Sequence, residues 1–221
     1  MTFQRARSEE QREVRRRTVL DTAAAMLDEM PVADLSLNEL SRRVGLAKSN
    51  VLRYFDSREA VLLDLLDASL ADWLAELSAA LAGEAGAGRG LVQRAEHVAD
   101  VLARSLAGRR VLCDLVGAQG GVLERNVPTG VVLRHKRSGL ARLTAAADLL
   151  RRHLPELGDE AERACFHLVV LAGALAPYAS PPPAVRAAYE LDPAVAVLHA
   201  GPEDALRAAA RTLLLGALPR T

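Results

Sequence analysis

SLNELSRRVGLAKSNVLRYF, residues 36–55, reads as one helix, a glycine turn and a second short helix. Ser36 followed by Glu39 has the spacing of a capping box, which gives the first of these helices a defined start. Leu37, Leu40 and Val44 recur at helical spacing and supply a single buried stripe. Gly45 stands where the chain must turn sharply, which a residue without Cβ does at least cost. Leu46, Val51 and Phe55 anchor the second helix from beneath, leaving Lys48, Ser49, Asn50, Arg53 and Tyr54 as its exposed set. Arg and Lys side chains pair with guanine edges or phosphates, Asn with adenine, and Ser or Tyr hydroxyls with phosphate oxygens. Such a face on the second helix of a helix-turn-helix is the chemistry of major-groove reading.

The rest of the chain supports a helical frame around this stretch. Half of its 221 residues are hydrophobic and only 3% are aromatic. Leu and Ala dominate the apolar set and favour helix, so the expected fold class is all-α. Lys and Arg number 28, as do Asp and Glu, so the net charge is zero. No long-range field draws the molecule to a polyanion, and affinity for nucleic acid must come from local clusters. One cluster precedes the first apolar helix face: Arg5, Arg7, Arg12, Arg15, Arg16 and Arg17, interleaved with Glu9, Glu10 and Glu13. It reads either as an arm reaching for DNA, carried by the earliest arginines, or as a solvated helix start laced with i,i+4 ion pairs.

Apolar periodicity places a first helix at about Arg12–Met30, with Val19, Ala23, Leu27 and Met30 on one face and Pro31 ending it. After Phe55, Asp56 or Ser57 caps a longer helix to about Leu81, carrying Leu62, Leu65, Leu66, Trp73 and Leu77. Residues 82–90, AGEAGAGRG, form a glycine-rich loop. Beyond it helices are expected near Leu91–Ala107, Arg109–Gly120, Pro128–His153, Asp159–Tyr178 and Pro202–Leu218. The Pro-rich stretch Ser180–Gly201 is expected to be irregular with one short helical piece.

Cys113 and Cys165 lack any metal or redox spacing and read as core thiols. His97, His135, His153, His167 and His199 form no Glu-x-x-His or HExxH pattern, and no GxSxG appears, so neither a metal site nor catalysis is expected. No cofactor is expected. The N-terminus is too charged for a signal peptide, and the apolar run from Phe166 to Ala179 is too short for a membrane span. The expectation is a soluble, cytoplasmic chain.

Residues 12–77 resemble the TetR family of bacterial one-component regulators. The resemblance rests on the apolar first helix, on LSLNELSRRVGLAKSNVLRYF and on DSREAVLLDLL. A hydroxyl residue opens the second helix (Ser36), a glycine makes the turn (Gly45), and an aromatic–Phe pair closes the third (Tyr54-Phe55). A small polar pair and a cation open the fourth (Asp56, Ser57, Arg58). Beyond Leu81 the match is in length, helicity and position. The resemblance implies residues 1–58 as a DNA-binding helix-turn-helix domain, joined by a long fourth helix to an effector-binding and dimerisation domain, residues 59–221.

It also implies roles. Ser36, Asn38 and Arg42 match helix-two sites that touch phosphates or base edges. Lys48, Ser49, Asn50, Arg53 and Tyr54 match the recognition helix, and Arg58 matches a phosphate-binding cation. Two departures stand out. Ala47 replaces a Ser or Thr cap, which costs about 1 kcal/mol of helix stability. Leu52 replaces a phosphate-contacting Tyr. An effector pocket is implied, with Leu102, Leu106, Cys113, Val116, Gln119, Phe166, His167, Val170 and Tyr178 as its lining. An isologous four-helix dimer interface is implied as well. Its helix faces carry Ala164, Leu168, Leu171, Ala172 and Leu175, and Leu206, Ala210, Leu213 and Leu214; the alternative is that these faces fill the monomer core.

The functional expectation is a homodimeric transcriptional repressor, released from a pseudo-palindromic double-stranded DNA operator by a small molecule. An effector-independent regulator or activator of the same fold is the alternative. A helical-bundle carrier or enzyme using the second body's cavity is the alternative from another class.

Overall fold

Chemistry this rich in Leu and Ala folds as helices throughout, and the computed structural model contains no strand among the residues it describes, 2–82, 88–179, 181–198 and 201–219. The helices are α1 (Thr2–Glu29), α2 (Leu37–Val44), α3 (Lys48–Val51), α4 (Arg58–Ala82), α5 (Leu91–Ala107), α6 (Arg110–Ala118), α7 (Thr129–His153), α8 (Glu160–Ala179), α9 (Pro183–Leu191) and α10 (Pro202–Ala217). Helix α1 begins ten residues before Arg12, the start expected from the sequence. Most of the glycine loop (83–87), His199 and the side chains of Arg5 and Arg7 lie outside the described residues.

Two compact units divide the chain. Residues 1–68 and 118–137 form the first. Val19, Ala23, Met26 and Leu27 of α1, Leu40 of α2, Val51 and Phe55, and Val61, Leu62, Leu63 and Leu66 of α4 are buried. Ser36 caps α2 by accepting from the Glu39 N–H at 3.2 Å. Glu39 turns its own carboxylate to Arg42 and Arg43, so only the forward half of the expected capping box forms. Gly45 closes α2 in the left-handed region at φ 72°, and its N–H donates to the Arg42 carbonyl. A side chain there would be strained. Ser57 is the residue that caps α4, accepting from the Ala60 N–H at 3.2 Å.

The later segment of this unit contains a π turn, Gln119–Leu123, in which Glu124 N–H reaches back to the Gln119 carbonyl at 3.1 Å. Gly120 and Gly121 lie within it. Glu124 then gathers Gln119 (2.7 Å) and Lys136 (2.6 Å), with His135 Nε2 at 3.8 Å. His135 is buried, and burial pulls its pKa below the ordinary histidine value, with Glu124 opposing the shift.

The second unit comprises residues 69–117 and 138–221. Here α10 packs on α5 and α8. Arg207 reaches Asp100 at 3.2 Å and Arg211 reaches Glu96 at 2.5 Å, two ion pairs one helical turn apart joining α10 to α5. Trp73 is buried, and its indole N–H donates to Ser105 Oγ at 3.0 Å, which satisfies its one polar atom. Cys113 and Cys165 are free and buried, their thiols pushed up by burial to about 11 and about 12.

Helices α6 and α8 meet at a pair of glycines. A Cβ on Gly117 would lie 2.8 Å from the Gly173 carbonyl oxygen, and one on Gly173 would lie 2.7 Å from Gly117 N and from Val116 Cγ1. The obstacles are mostly backbone, which cannot rotate away. Gly173→Ala should therefore destabilise the fold by about 1–3 kcal/mol through overpacking, lowering Tm by several degrees. Gly216→Ala, in a helix with nothing within 4 Å of the new methyl, should instead be neutral or stabilising by up to about 1 kcal/mol. Equal melting temperatures for both variants in a thermal scan would refute the close-contact account.

Candidate nucleic-acid interface

Two short elements present the polar face. Helix α3 is a single turn from Lys48 to Val51, continued by 3₁₀-type bonds from Arg53 N–H to Asn50 O (3.2 Å) and Tyr54 N–H to Val51 O (2.9 Å). A four-residue helix has no stability of its own. Its geometry is imposed by Val51 and Phe55, both buried on its underside. Ala47 precedes it with extended backbone and no side-chain cap bond, as its sequence predicts. Lys48, Ser49, Asn50 and Arg53 are exposed on the outer side and Tyr54 is half-buried. Leu52 is 41% exposed among them, an apolar group on a polar face.

Helix α2 adds Ser36, Asn38 and Arg42, all exposed. Arg42 binds Glu39 through two parallel bonds, Nε to Oε2 at 2.8 Å and Nη2 to Oε1 at 2.6 Å. Arg43 shares the same carboxylate at 3.0 Å and reaches Glu29 of α1 at 2.7 Å. The hydrogen bonds from Arg42 and then Arg43 hold the Glu39 pKa down to about 2. Arg42 thus enters any phosphate contact already oriented. Ser36 spends its hydroxyl oxygen on the helix cap, although its O–H remains a donor.

Arg58, the remaining cation of this set, is engaged within the protein. Its guanidinium donates to the Val32 and Ala33 carbonyls and pairs with Glu59 at 3.3 Å. The side chain is largely covered and ties the 3₁₀ turn Val32–Asp34 to the start of α4. The sequence shows a cation at a helix start; it does not show the Ala33 and Val32 carbonyls, 25 and 26 residues earlier, that receive it.

One member of the arginine cluster on the first helix makes neither a reaching arm nor an i,i+4 pair but supports the site. Arg16 lies over the Phe55 ring, 4.8 Å from its centroid, and pairs with Asp64 of α4. Its long spacing from both partners gives no local signal. Arg17 pairs instead with Asp21 at 3.5 Å.

The second unit distributes its expected residues differently from the sequence reading. Leu102, Leu106 and Cys113 are buried and Val116 is half-buried, while Gln119, also half-buried, belongs to the first unit. Phe166, His167, Val170 and Tyr178 instead occupy the outer face of α8, with Phe166 54%, Val170 48% and Tyr178 52% exposed. Conversely Ala164, Leu168 and Ala172 are buried, as are Leu206, Ala210 and Leu214; Leu171, Leu175 and Leu213 are half-buried. The sequence reading thus has α8 turned about: its expected pocket residues face outward and most of its expected interface residues fill the core. The interior crevice is lined by Trp73, Leu77, Leu102, Leu150, Leu168 and Leu214, among others, and has room for about one water molecule.

Among the described residues no three His, Cys, Asp or Glu side chains gather as metal ligands, and no single helix is long and apolar enough to cross a membrane.

Comparison with known proteins places this geometry. Residues 19–65 match the family model described as bacterial regulatory proteins, tetR family. Residues 67–221 match the model described as tetracyclin repressor-like, C-terminal domain. Over 49 residues the chain is 43% identical to the HTH-type transcriptional regulator EthR of Mycobacterium tuberculosis, a match spanning 22% of this chain and only 23% of that relative. Among solved structures, a TetR transcriptional regulator from Rhodococcus sp. RHA1 is similar with a TM-score of 0.54 at 16% identity, covering 93% of this chain and 96% of the other. FadR of Thermus thermophilus, a TetR family repressor in complex with lauroyl-CoA, is similar with a TM-score of 0.52 at 21% identity, covering 93% and 96%. The helix-turn-helix and the helical body beyond it match one family, and the chain belongs to the TetR family of bacterial regulatory proteins.

Proposed function

We propose that this chain is a cytoplasmic, homodimeric DNA-binding repressor. Residues 1–58 carry the reading head and residues 59–221 carry dimerisation and effector response. The observation that supports it most is the outer face of α3. Lys48, Ser49, Asn50 and Arg53 stand exposed together on a turn whose other side is locked into the core. Asn38 and Arg42 extend that face. Leu52 suits an apolar contact such as a thymine methyl, in place of the phosphate bond a tyrosine would make.

The dimer reading moves to the residues that face outward. Phe166, Val170, Ala174 and Tyr178 recur every four residues along α8, forming an apolar ridge on the exposed side. Ridges at this spacing interdigitate with copies of themselves. A twofold axis through them would bring two reading heads to one pseudo-palindromic site.

The FadR of similar fold holds lauroyl-CoA, so long-chain acyl thioesters are the first effector class to try. In this chain α8 and α10 must part to admit one, because the crevice between them is closed. That closure is also the observation favouring an effector-independent regulator. A rise in Tm with lauroyl-CoA that weakens DNA binding in parallel supports the effector reading. No shift in either supports the second.

Selection of duplexes from a random pool should recover an inverted repeat; recovery of no preferred sequence would refute specific reading. On the selected duplex, Lys48→Ala should lower the salt slope of binding by about one unit if Lys48 neutralises a phosphate. Phe166→Glu should convert a micromolar dimer to monomer in sedimentation and weaken binding to the paired site, whereas a dimer that persists would exclude the α8 ridge.

A further inference from the structure

The stretch of α1 from Glu9 to Arg15 is not held by the apolar face that anchors the helix from Val19 onward. Residues 9–15 are all exposed. It is nevertheless tied beside the reading head, because Arg16 stacks on Phe55 and pairs with Asp64. Between this exposed stretch and the end of the recognition turn lies an open groove. Arg12, Arg15 and Thr18 line it from α1, and Arg53 and Tyr54 line it from the turn after α3. Glu10 lines it too. Three guanidiniums and one carboxylate leave it cationic in a chain whose net charge is zero. The groove is broad and open to solvent, unlike the clefts that bury most of a small ligand's surface. Its shape and charge suit a strand.

We propose that the sugar-phosphate backbone of one DNA strand runs through this groove. Arg12 and Arg15 bind its phosphates from the side opposite Arg53. This rests on the DNA-binding reading and extends the contact surface beyond the helix-turn-helix, to residues outside the matched segment 19–65. Guanidinium groups bind phosphate oxygens in forked pairs. Arg12 and Arg15 are three residues apart and therefore share one side of α1. The Tyr54 and Thr18 hydroxyls supply neutral hydrogen-bond donors between the cations. Arg17, paired with Asp21 and absent from the lining, takes no part. The contact is to backbone and reads no sequence, so it strengthens binding to every duplex alike.

The test is fluorescence-anisotropy titration of the full chain with a random-sequence 30-base-pair duplex, from about 50 to 200 mM salt, the range over which phosphate contacts are resolved. Arg12→Ala/Arg15→Ala should lower the slope of log K against log salt by about two units and weaken binding about tenfold or more near 100 mM. Its circular dichroism and melting temperature should match the parent, since both side chains are exposed. Arg17→Ala should leave the slope within about half a unit of the parent's. Glu10→Gln should shift affinity the opposite way, towards tighter binding. An unchanged slope in the double variant overturns the groove, as does an equal drop in Arg17→Ala, which would mark a diffuse charge effect. If the parent chain binds no duplex even at the lowest salt, the DNA-binding reading itself fails, and the groove with it.

Discussion

A recognition helix of one turn cannot hold itself together, and the whole reading head is organised around that constraint. Nucleating a helix fixes several residues for few hydrogen bonds, so a four-residue segment is helical only where packing dictates its conformation. Val51 and Phe55 provide that packing from below. Around them the constraint passes outward. Arg16 holds the Phe55 ring and Asp64 together, and Arg43 joins Glu29 of α1 to Glu39 of α2. Arg58 fastens the 3₁₀ turn to α4. The polar face is exposed because its apolar neighbours, Leu52 apart, are committed to the other side.

The second unit solves a different problem with a similar composition. Its helices carry few aromatics, and close approach replaces bulk. Gly117 and Gly173 let α6 and α8 touch backbone to backbone. Such contact recovers by dispersion what large side chains would otherwise contribute. The two ion pairs between α5 and α10 are partly exposed and contribute modestly to stability, but they fix the register of two helices whose facing surfaces are mostly Ala and Leu.

Where the sequence was legible and where it was not follows from the range of each signal. Helix α5 is read to the residue, because Gly90 and Gly108 bracket a clean apolar stripe. Ser36, Gly45 and Ala47 act locally and take the places their residue types dictate. Helix α8 is apolar nearly all round, so periodicity alone leaves its inward side undecided. Two glycines on α6 and α8, far apart in the chain, settle it. Arg58 looks outward in sequence and turns inward in space because its acceptors are about 25 residues away. The grouping of residues 118–137 with the N-terminal helices depends on contacts of still longer range, which no window of sequence contains.

The closed crevice of the second unit has a consequence for how sensitivity could evolve. If a protein admits a ligand only in a rarely populated open form, the apparent affinity is the intrinsic one reduced by the open fraction. The dose at which such a regulator responds is then governed by how tightly Trp73, Leu102, Leu150, Leu168 and Leu214 pack, and the choice of molecule by the shape exposed on opening. Substitutions that loosen the core without touching the ligand would retune the threshold while preserving selectivity. Threshold and selectivity would then be separately adjustable, within a core of ordinary aliphatic residues.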